Sequence, residues 1–418
     1  MYEPSENHAL VASYDDVWLV EGARTPFADY MGVLGGVSAT DLGIHAARAV
    51  FERSGVPATD VDAVIAGSVA QTSFDAFYLP RHIGLYSGVP LGVPAVLVHR
   101  LCGTGFEAIL TAADQIALGK IQVALCVGTE SMSRNPIAAY SHRSGFRMGQ
   151  VEFKDFLWEA TLDTASNTRM GETAENLARR YAISREEVDR FAEQSFQRAM
   201  AGWESGFLPG EIAPVTAQTW NLEGYQPRGI KLPRNVTRFE RDDHVRPSTF
   251  ETLQGLKPAF GKDGVQTGGN SSAIVDGAAA VLVASGVYMR AKGLKPIARI
   301  AGGAAVGVPP EIMGIGPAPA IRALLQRLGL KQKEVDRFEI NEAFGAQYLA
   351  VEKELGLDRA QVNVNGGAIA IGHPLAATGI RLTTTLAREL QSSGSKLGIS
   401  SACAGGGQGI AILLRRAA

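Results

Sequence analysis

The sequence predicts an α/β protein of two related halves, with a charged helical segment inserted into the first half. Three observations lead to this prediction. Short apolar runs typical of strands alternate with helix-spaced patterns, one stretch recurs at a fixed separation, and a glycine-rich hairpin has an interrupted counterpart earlier in the chain. The 418 residues include 48 glycines, and 46% are hydrophobic and 20% charged, as expected for a turn-rich chain of two or three domains.

The repeat is the strongest of these signals. Residues 46–62 (AARAVFERSGVPATDVD) match residues 320–336 (AIRALLQRLGLKQKEVD), and each identical pair lies 274 positions apart. The same separation aligns CGTGFEA, which begins at Cys102, with AATGIRL, which begins at Ala376. Several identities at one shift predict a duplication. Each half should therefore hold a helix ended by glycine, a strand opened by Val-Asp, a turn and a second helix.

The turn of the first half carries Cys102. Residues 93–98 are Val-rich and predict a buried strand, and from Phe106 onward the apolar residues fall at helical spacing. Gly103 and Gly105 permit a tight turn and a close backbone approach between the two elements. A thiol at a helix N-terminus meets the positive end of the dipole, which favours the reactive thiolate. The alternative is a buried structural cysteine.

The C-terminal stretch 396–414 (KLGISSACAGGGQGIAILL) predicts a β-hairpin. In the first half the matching strands are 123–128 and 277–285, so residues between them interrupt the hairpin. The interruption is more charged and contains two helix patterns, the second with Ser184 as N-cap and Glu187 in the capping-box position.

The predicted organisation therefore has three parts. The N-terminal half comprises residues 17–130 and 271–292, and the C-terminal half comprises residues 293–418. Residues 131–270 form an inserted helical loop domain suited to covering a ligand.

Bulk composition excludes several function classes. A formal charge of −2 predicts no nucleic-acid or membrane partner, so an anionic ligand would need local basic residues or helix N-termini. Cys102, Cys126 and Cys403 have no zinc-type spacing and predict neither a metal site nor a disulfide framework. Residues 1–16 lack the features of a signal or transit peptide, and no apolar run could span a bilayer. We expect a cytoplasmic protein.

Three further segments carry unusual chemistry: NEAFGAQ from Asn341, NGGAIAIGHPLAATG with His373, and SACAGGGQG with Cys403. By the repeat, His373 lies in the turn equivalent to that of Cys102, so two facing halves would bring these turns together. Each residue also has a structural interpretation. His373 could cap a helix or form a structural hydrogen bond. Asn341 could cap the helix that follows its strand, and Cys403 could be a small buried hydrophobe.

Together these motifs resemble the thiolases, the acetyl-CoA C-acyltransferases. The resemblance runs from ARTPF (residues 23–27) to CAGGGQGIAILL (residues 403–414), through GTESMSRNP (residues 128–136) and residues 256–280. It implies the thiolase fold, in which two duplicated α/β halves stack as a five-layer αβαβα core. It also implies coenzyme A as a substrate, no tightly bound cofactor, and a homodimer or homotetramer.

The resemblance implies a catalytic role for five residues. Cys102 is expected to be the acyl-carrying nucleophile, His373 its base with a pKa near neutrality, and Cys403 the acid/base at the substrate α-carbon. One oxyanion hole is expected from His373 and a water held by Asn341. A second is expected from the backbone N–H groups of Cys102 and Gly405.

On the coenzyme A side, the resemblance implies Met170, Ser272 and Phe344 beside the pantetheine arm. Arg246 is the candidate for the nucleotide end, where a guanidinium can meet phosphate or stack on adenine. The alternative for Arg246 is a solvated surface charge.

Four positions depart from the family pattern: His99, Thr104, Arg169 and Ala376. None removes a catalytic group, but they leave the substrate preference open. The predicted reaction is the reversible thiolytic cleavage of a 3-ketoacyl-CoA to acetyl-CoA and a shortened acyl-CoA. The alternatives are condensation of two acetyl-CoA molecules, a decarboxylating ketoacyl synthase, and a non-catalytic acyl-CoA-binding protein.

Overall fold

The structure, a computed structural model, describes residues 8–70, 74–140 and 142–417. Residues 1–7, part of the segment expected to lack targeting features, lie outside the described residues. The strands are β1 (Leu10–Arg24), β2 (Ala28–Asp29), β3 (Ala63–Gly67), β4 (Ala95–Leu97), β5 (Val123–Glu130), β6 (Ile137–Ala138), β7 (Lys154–Asp155), β8 (Leu162–Asp163), β9 (Thr168–Arg169), β10 (Val215–Thr216), β11 (Gln218–Trp220), β12 (Arg228–Ile230), β13 (Arg238–Phe239), β14 (Val275–Ser285), β15 (Ala298–Gly307), β16 (Arg337–Ile340), β17 (Leu397–Ala404) and β18 (Gln408–Arg416).

The α-helices are α1 (Ala39–Ser54), α2 (Leu79–Tyr86), α3 (Thr104–Ala117), α4 (Phe156–Glu159), α5 (Met170–Arg180), α6 (Arg185–Glu204), α7 (Phe250–Gln254), α8 (Gly286–Lys292), α9 (Pro317–Arg327), α10 (Gly345–Leu355), α11 (Ala368–Ile371) and α12 (Leu375–Ser393). Within the described ranges, none of these helices combines the length and apolar character needed to cross a bilayer.

One large sheet joins the two halves. Its strand order is β16-β17-β18-β15-β1-β14-β5-β3-β4, with β2 paired to β14. The first half supplies β1, β14, β5, β3 and β4, and the second supplies β16, β17, β18 and β15. The halves meet where β1 pairs antiparallel with β15, for example Leu10 opposite Ala305. The repeat predicted each half but not this direct hydrogen-bonded junction.

Helices and sheet form five layers. Helices α3 and α12 lie between the two parts of the sheet and share one apolar core with strands of both halves. Helices α1 and α2 cover the outer face of the first half, whereas α9 and α10 cover that of the second half. This order confirms the predicted αβαβα stacking.

The duplication is visible in matching hydrogen bonds. Asp62 Oδ2 accepts from the backbone N–H groups of Gln122 and Val123 at 2.7 and 3.0 Å. Its repeat partner, Asp336, accepts from Lys396 and Leu397 at 2.8 and 3.0 Å. Each aspartate therefore fixes the start of the neighbouring parallel strand, which explains why both halves open a strand with Val-Asp.

The two central helices cross at a pair of repeat-equivalent glycines. A Cβ on Gly105 would lie 2.6 Å from the Ala376 carbonyl oxygen and 3.0 Å from Gly379 Cα. A Cβ on Gly379 would lie 2.6 Å from the Phe106 ring and 2.8 Å from the Gly105 carbonyl carbon. These distances are too short for a side chain, so the close crossing of α3 and α12 requires glycine at both positions.

We expect Gly379→Ala to lower the thermal midpoint of unfolding. Alanine gains about 1 kcal/mol of helix propensity over glycine, but overpacking at a crossing costs about 1–3 kcal/mol. Differential scanning calorimetry measures the balance. The control is Gly36→Ala, because Gly36 is exposed and an added Cβ there has no atom within 4 Å. An unchanged midpoint for Gly379→Ala would contradict the proposed role of the crossing.

Both predicted hairpins form. Strands β17 and β18 pair antiparallel around Gly406 and Gly407, whose φ angles are 72° and 79°. Strands β5 and β14 pair antiparallel, and the chain between them carries α4 to α7 and several two-stranded ribbons. Helix α6 begins after Ser184 with the predicted capping box to Glu187. The domain boundaries at 131 and 270 fall close to the ends of this excursion and stay a prediction.

One predicted element differs from the structure. The stretch 93–98 was expected to be a buried strand, but only Ala95–Leu97 is a strand, and the Val96 side chain is 44% exposed. The reason is its position. Strand β4 is the edge of the sheet and has only β3 as its neighbour among the described strands.

Candidate active site

Cys102 lies in a short 3₁₀ turn, Leu101–Gly103, between β4 and α3. Leu101 has φ of 47°, the left-handed region that is unfavourable for a residue with a side chain. The Thr104 hydroxyl holds the turn because it donates to the Leu101 carbonyl at 2.7 Å and accepts from the Arg100 N–H at 2.9 Å. The strained residue is therefore Leu101 rather than either neighbouring glycine.

His373 enters from the second half, immediately before α12. It is only 5% exposed, and its backbone N–H donates to the Ala273 carbonyl. Its Nδ1 lies 2.6 Å from Thr378 Oγ1, and its Nε2 lies 3.4 Å from Asn341 Nδ2. An Nδ1–H that donates to Thr378 leaves a lone pair on Nε2, which suits Asn341 Nδ2 as a donor.

Asn341 directly follows β16 and does not cap the next helix. Helix α10 begins at Gly345 with Phe344 at its N-cap position. The Asn341 side chain is buried, and its Oδ1 has no hydrogen-bond partner within the described part of the chain. A buried amide oxygen of this kind needs a water or ligand partner.

Cys403 is the last residue but one of β17 and is fully buried in a small apolar cluster. The cluster contains Met313, Ala343, Met170 and Phe344. The two sulfur atoms are close enough for the charge of Cys102 to raise the pKa of Cys403. The turns of Cys102 and Cys403 therefore meet.

Gly405 lies between these turns. Its backbone N–H faces the Cys102 sulfur and lowers the pKa of that thiol by favouring the thiolate. A Cβ at this position would lie 2.9 Å from Leu101 Cδ1 and 3.4 Å from Met170 Sδ. A side chain would therefore crowd the space in front of the nucleophile, and glycine keeps that space open.

Burial dominates the electrostatics of the site. It raises the pKa of Cys102 to about 11, although the N–H groups of Gly405 and Cys102 act in the opposite direction. Burial, aided by the positive charge of Arg381, lowers the pKa of His373 to about 3. The predicted thiolate at the helix N-terminus and the predicted near-neutral histidine pKa are both wrong for the free enzyme. At the partly buried Cys102 thiol, desolvation outweighs the stabilisation of the thiolate by the two backbone N–H groups.

Three of the four residues expected beside coenzyme A lie around this site. Met170 and Phe344 pack against the Cys403 cluster, and the Ser272 N–H donates to the Ala343 carbonyl at 3.0 Å. Arg246 is an exposed loop residue whose charge lowers the pKa of Asp29. The structure gives no contact between Arg246 and the other three, so its binding role stays a prediction.

Several neighbours of the site were not predicted. Thr378 holds the His373 ring, and the repeat could have indicated it because Thr104, its equivalent, holds the nucleophile turn. Phe260 contacts the Phe344 ring edge-on at 5.9 Å between centroids.

Glu130 is a further buried neighbour that the sequence did not single out. Its carboxylate accepts hydrogen bonds from the Val69 and Ala376 N–H groups, and its negative charge raises the pKa of Cys102. Burial raises its pKa to about 7. Within the described residues, no three His, Cys, Asp or Glu side chains are grouped to hold a metal.

Comparison with known proteins gives a consistent result. Residues 17–286 match the thiolase N-terminal domain, and residues 294–416 match the thiolase C-terminal domain. The chain is 44% identical over 404 residues to human mitochondrial 3-ketoacyl-CoA thiolase, covering 96% of this chain and 98% of that protein. It is 42% identical over 403 residues to acetyl-CoA acetyltransferase of Pseudomonas aeruginosa, covering 96% and 99%.

A solved structure agrees with this. The crystal structure of human mitochondrial 3-ketoacyl-CoA thiolase in complex with CoA superimposes with a TM-score of 0.90 at 43% identity. The superposition covers 97% of this chain and all of that one.

In the duplicated α/β fold the turns of Cys102 and Cys403 meet, and a buried histidine directly precedes α12, the helix that contacts the Cys102 turn; this combination places the protein among the acyltransferases. Both domain models and relatives matched over nearly the full length make the assignment more specific. The chain belongs to the thiolase family, which confirms the predicted family and fold class.

Proposed function

We propose that this enzyme cleaves a 3-ketoacyl-CoA with free coenzyme A and forms acetyl-CoA and a shortened acyl-CoA. The observation that supports this most directly is the meeting of Cys102, Cys403 and the Gly405 N–H. The paired side chains of His373 and Asn341 lie next to the start of α12, the helix that contacts the Cys102 turn. Relatives named for thiolysis and for acetyl transfer both match nearly the full chain.

In the first half-reaction, the Cys102 sulfur attacks the keto carbonyl while its proton passes to His373 Nε2. The C–C bond then breaks, and its electron pair becomes the enolate of acetyl-CoA. The Cys403 thiol donates a proton to that carbon, which releases acetyl-CoA and leaves the acyl group on Cys102. Because both Cys102 and His373 are neutral in the free enzyme, proton transfer accompanies attack rather than preceding it.

In the second half-reaction, the thiol of coenzyme A attacks the acyl thioester. Before this attack, the proton held on His373 passes to the Cys403 thiolate, which restores both groups. The proton of the coenzyme A thiol then moves to His373, and Cys102 takes that proton back as it leaves. The N–H groups of Cys102 and Gly405 are placed to stabilise the oxyanion on the acyl carbon. The unpartnered Oδ1 of Asn341 suits a water that would complete a second oxyanion hole beside His373.

The raised pKa of Cys102 predicts the pH dependence of its alkylation. In the free enzyme, the rate with iodoacetamide should rise about tenfold per pH unit from pH ~7 to ~10, because the thiolate fraction grows until the pKa is reached. Peptide mass spectrometry at each pH measures the Cys102 rate separately from that of Cys126. A rate that is already constant below pH ~7 would show a preformed thiolate and contradict the burial argument.

A thiolysis screen tests the proposed reaction. Linear and branched 3-ketoacyl-CoA substrates of increasing length are incubated with coenzyme A, and consumption of the substrate is followed. The proposal requires thiolysis of at least one member, and the most reactive member defines the chain length. Activity only with acetyl-CoA in the condensing direction would favour the biosynthetic alternative, and activity only with carrier-protein substrates would favour a ketoacyl synthase.

We also propose that two copies associate through the edge strand β4. Exposed apolar side chains gather on this edge of the first half: Phe77, Tyr78, Leu91 and Val96. An edge strand that has no described neighbour on one side, with exposed apolar side chains near it, favours pairing with a second copy.

Val96→Arg tests this association. The variant should convert the wild-type oligomer to monomer in light scattering, whereas Leu118→Arg, at an exposed position at the end of α3, should not. A wild type that is monomeric at assay concentration would refute the proposal.

We also propose a cytoplasmic location. The three cysteines are free, which suits a reducing compartment. Fluorescence microscopy of the tagged protein in cells would test this location.

A further inference from the structure

We propose that Arg100 and Gln408 form a brace that positions the Gly405 N–H against the Cys102 sulfur. The pair does not touch the reacting atoms and acts through the two active-site turns. The inference rests on the proposed acyl-transfer function, and it adds two positioning residues to that reaction.

One of the two residues of the brace is Arg100, which lies two residues before the nucleophile Cys102. Its Nε donates to Glu107 Oε2 at 2.6 Å, and its Nη1 donates to Gln408 Oε1 at 2.8 Å. Glu107 lies in the first turn of α3. The guanidinium therefore links the nucleophile's own helix to the start of β18, which comes from the other half of the chain.

The other residue of the brace is Gln408, the first residue of β18. Its Nε2 donates to the Gly405 carbonyl at 3.4 Å, across the turn formed by Gly406 and Gly407. These two glycines have no side chains that could hold the turn in place. Gln408 is the first side chain after them, so the contact with Arg100 supplies a support that the glycines cannot give.

The turn around Cys102 packs closely against the start of β18, which follows the Gly405–Gly407 turn. A Cβ on Gly103 would lie 3.0 Å from Ile410 Cγ2 and 3.4 Å from Arg100 Cδ. The side chains of Arg100 and Glu107 are 21% and 27% exposed, so their ion pair is partly shielded. Because Glu107 balances the charge of Arg100, the brace acts through geometry rather than through its own field.

Geometry also explains why the residue is arginine. The guanidinium presents several donors in a rigid fork, so Nε and Nη1 can each hold one partner at a fixed separation. A lysine has a single ammonium on a flexible stem and cannot hold the two partners at that separation. Without the brace, the Gly405 N–H should stabilise both the Cys102 thiolate and the acyl oxyanion less well.

The test uses Arg100→Met, Gln408→Met and the double variant. We expect each single variant to lose about tenfold in kcat with KM nearly unchanged, because one oxyanion donor is misplaced rather than removed. The double variant should lose no more than either single variant, since both residues act through one contact. In each variant the alkylation profile of Cys102 should move to higher pH.

Arg190→Met is the matched control, because Arg190 makes an exposed ion pair with Glu186 outside the site. It should leave kcat and the alkylation profile unchanged. If a methionine variant fails to fold, Arg100→Lys and Gln408→Glu replace it. Each of these keeps a polar partner but loses one of the two brace contacts.

Losses that multiply in the double variant would overturn the brace. So would a fall in kcat with no movement of the alkylation profile. The alkylation measurement needs no acyl substrate, so it tests the proposed brace even if the wild-type enzyme shows no activity in the thiolysis screen. Failure of the proposed function and failure of the brace are therefore distinguishable.

Discussion

Cys102→Ala is expected to lose thiolysis by about 10⁴-fold or more in kcat, because the variant has no atom that can carry the acyl group. Its fold should persist, since the substitution removes one sulfur from a turn that Thr104 holds through backbone contacts. Steady-state thiolysis and a calorimetric unfolding trace measure the two effects separately.

Cys126→Ala is the matched control. Cys126 is a buried cysteine in the middle of β5, and its Sγ lies 3.4 Å from the Ala108 carbonyl oxygen rather than facing the site. This variant should keep wild-type kcat at a small cost in stability. If Cys102→Ala retained substantial thiolysis, or if both alanine variants lost activity equally, Cys102 would not be the nucleophile.

Cys403→Ala should separate the two half-reactions. Breaking the C–C bond needs a proton donor at the α-carbon, and general acid–base catalysis contributes about 10²–10⁴-fold, so thiolysis of 3-ketoacyl-CoA should fall by that range. Exchange of an acyl group between acyl-CoA and free coenzyme A needs only Cys102, its base His373 and the oxyanion donors. It should continue near the wild-type rate.

Isotope exchange between labelled coenzyme A and acyl-CoA measures the second half-reaction alone. The burial of Cys403 raises its pKa, which keeps the thiol protonated and ready to donate. An equal loss of exchange and thiolysis in Cys403→Ala would show that Cys403 supports the nucleophile rather than the α-carbon.

The sequence predicted the fold well where the signal is local or repeated. The fixed separation between Gly105 and Gly379 indicated two facing turns, and the structure places these two glycines in contact. The Val-Asp pairs and the Ser184 capping box also formed as predicted. Such signals are readable because they depend on residues close in sequence or on a copied unit.

Properties that depend on burial by residues distant in the sequence could not be predicted from the sequence. The pKa of His373 depends on desolvation and on Arg381, and neither is visible from the GHP motif. The exposure of Val96 follows from the place of β4 at a sheet edge, which a Val-rich run does not reveal. The Arg100–Gln408 contact joins residues of two halves, and the repeat carries no signal for it.

The most direct test of the proposed mechanism is to trap the acyl-enzyme. The protein is mixed with an acyl-CoA in the absence of free coenzyme A, quenched in acid and digested, and the peptides are analysed by mass spectrometry. The mechanism predicts one acyl group per chain, on the peptide that contains Cys102, with the peptides of Cys126 and Cys403 unmodified. Acylation of Cys403, or turnover with no acylated peptide at all, would contradict it.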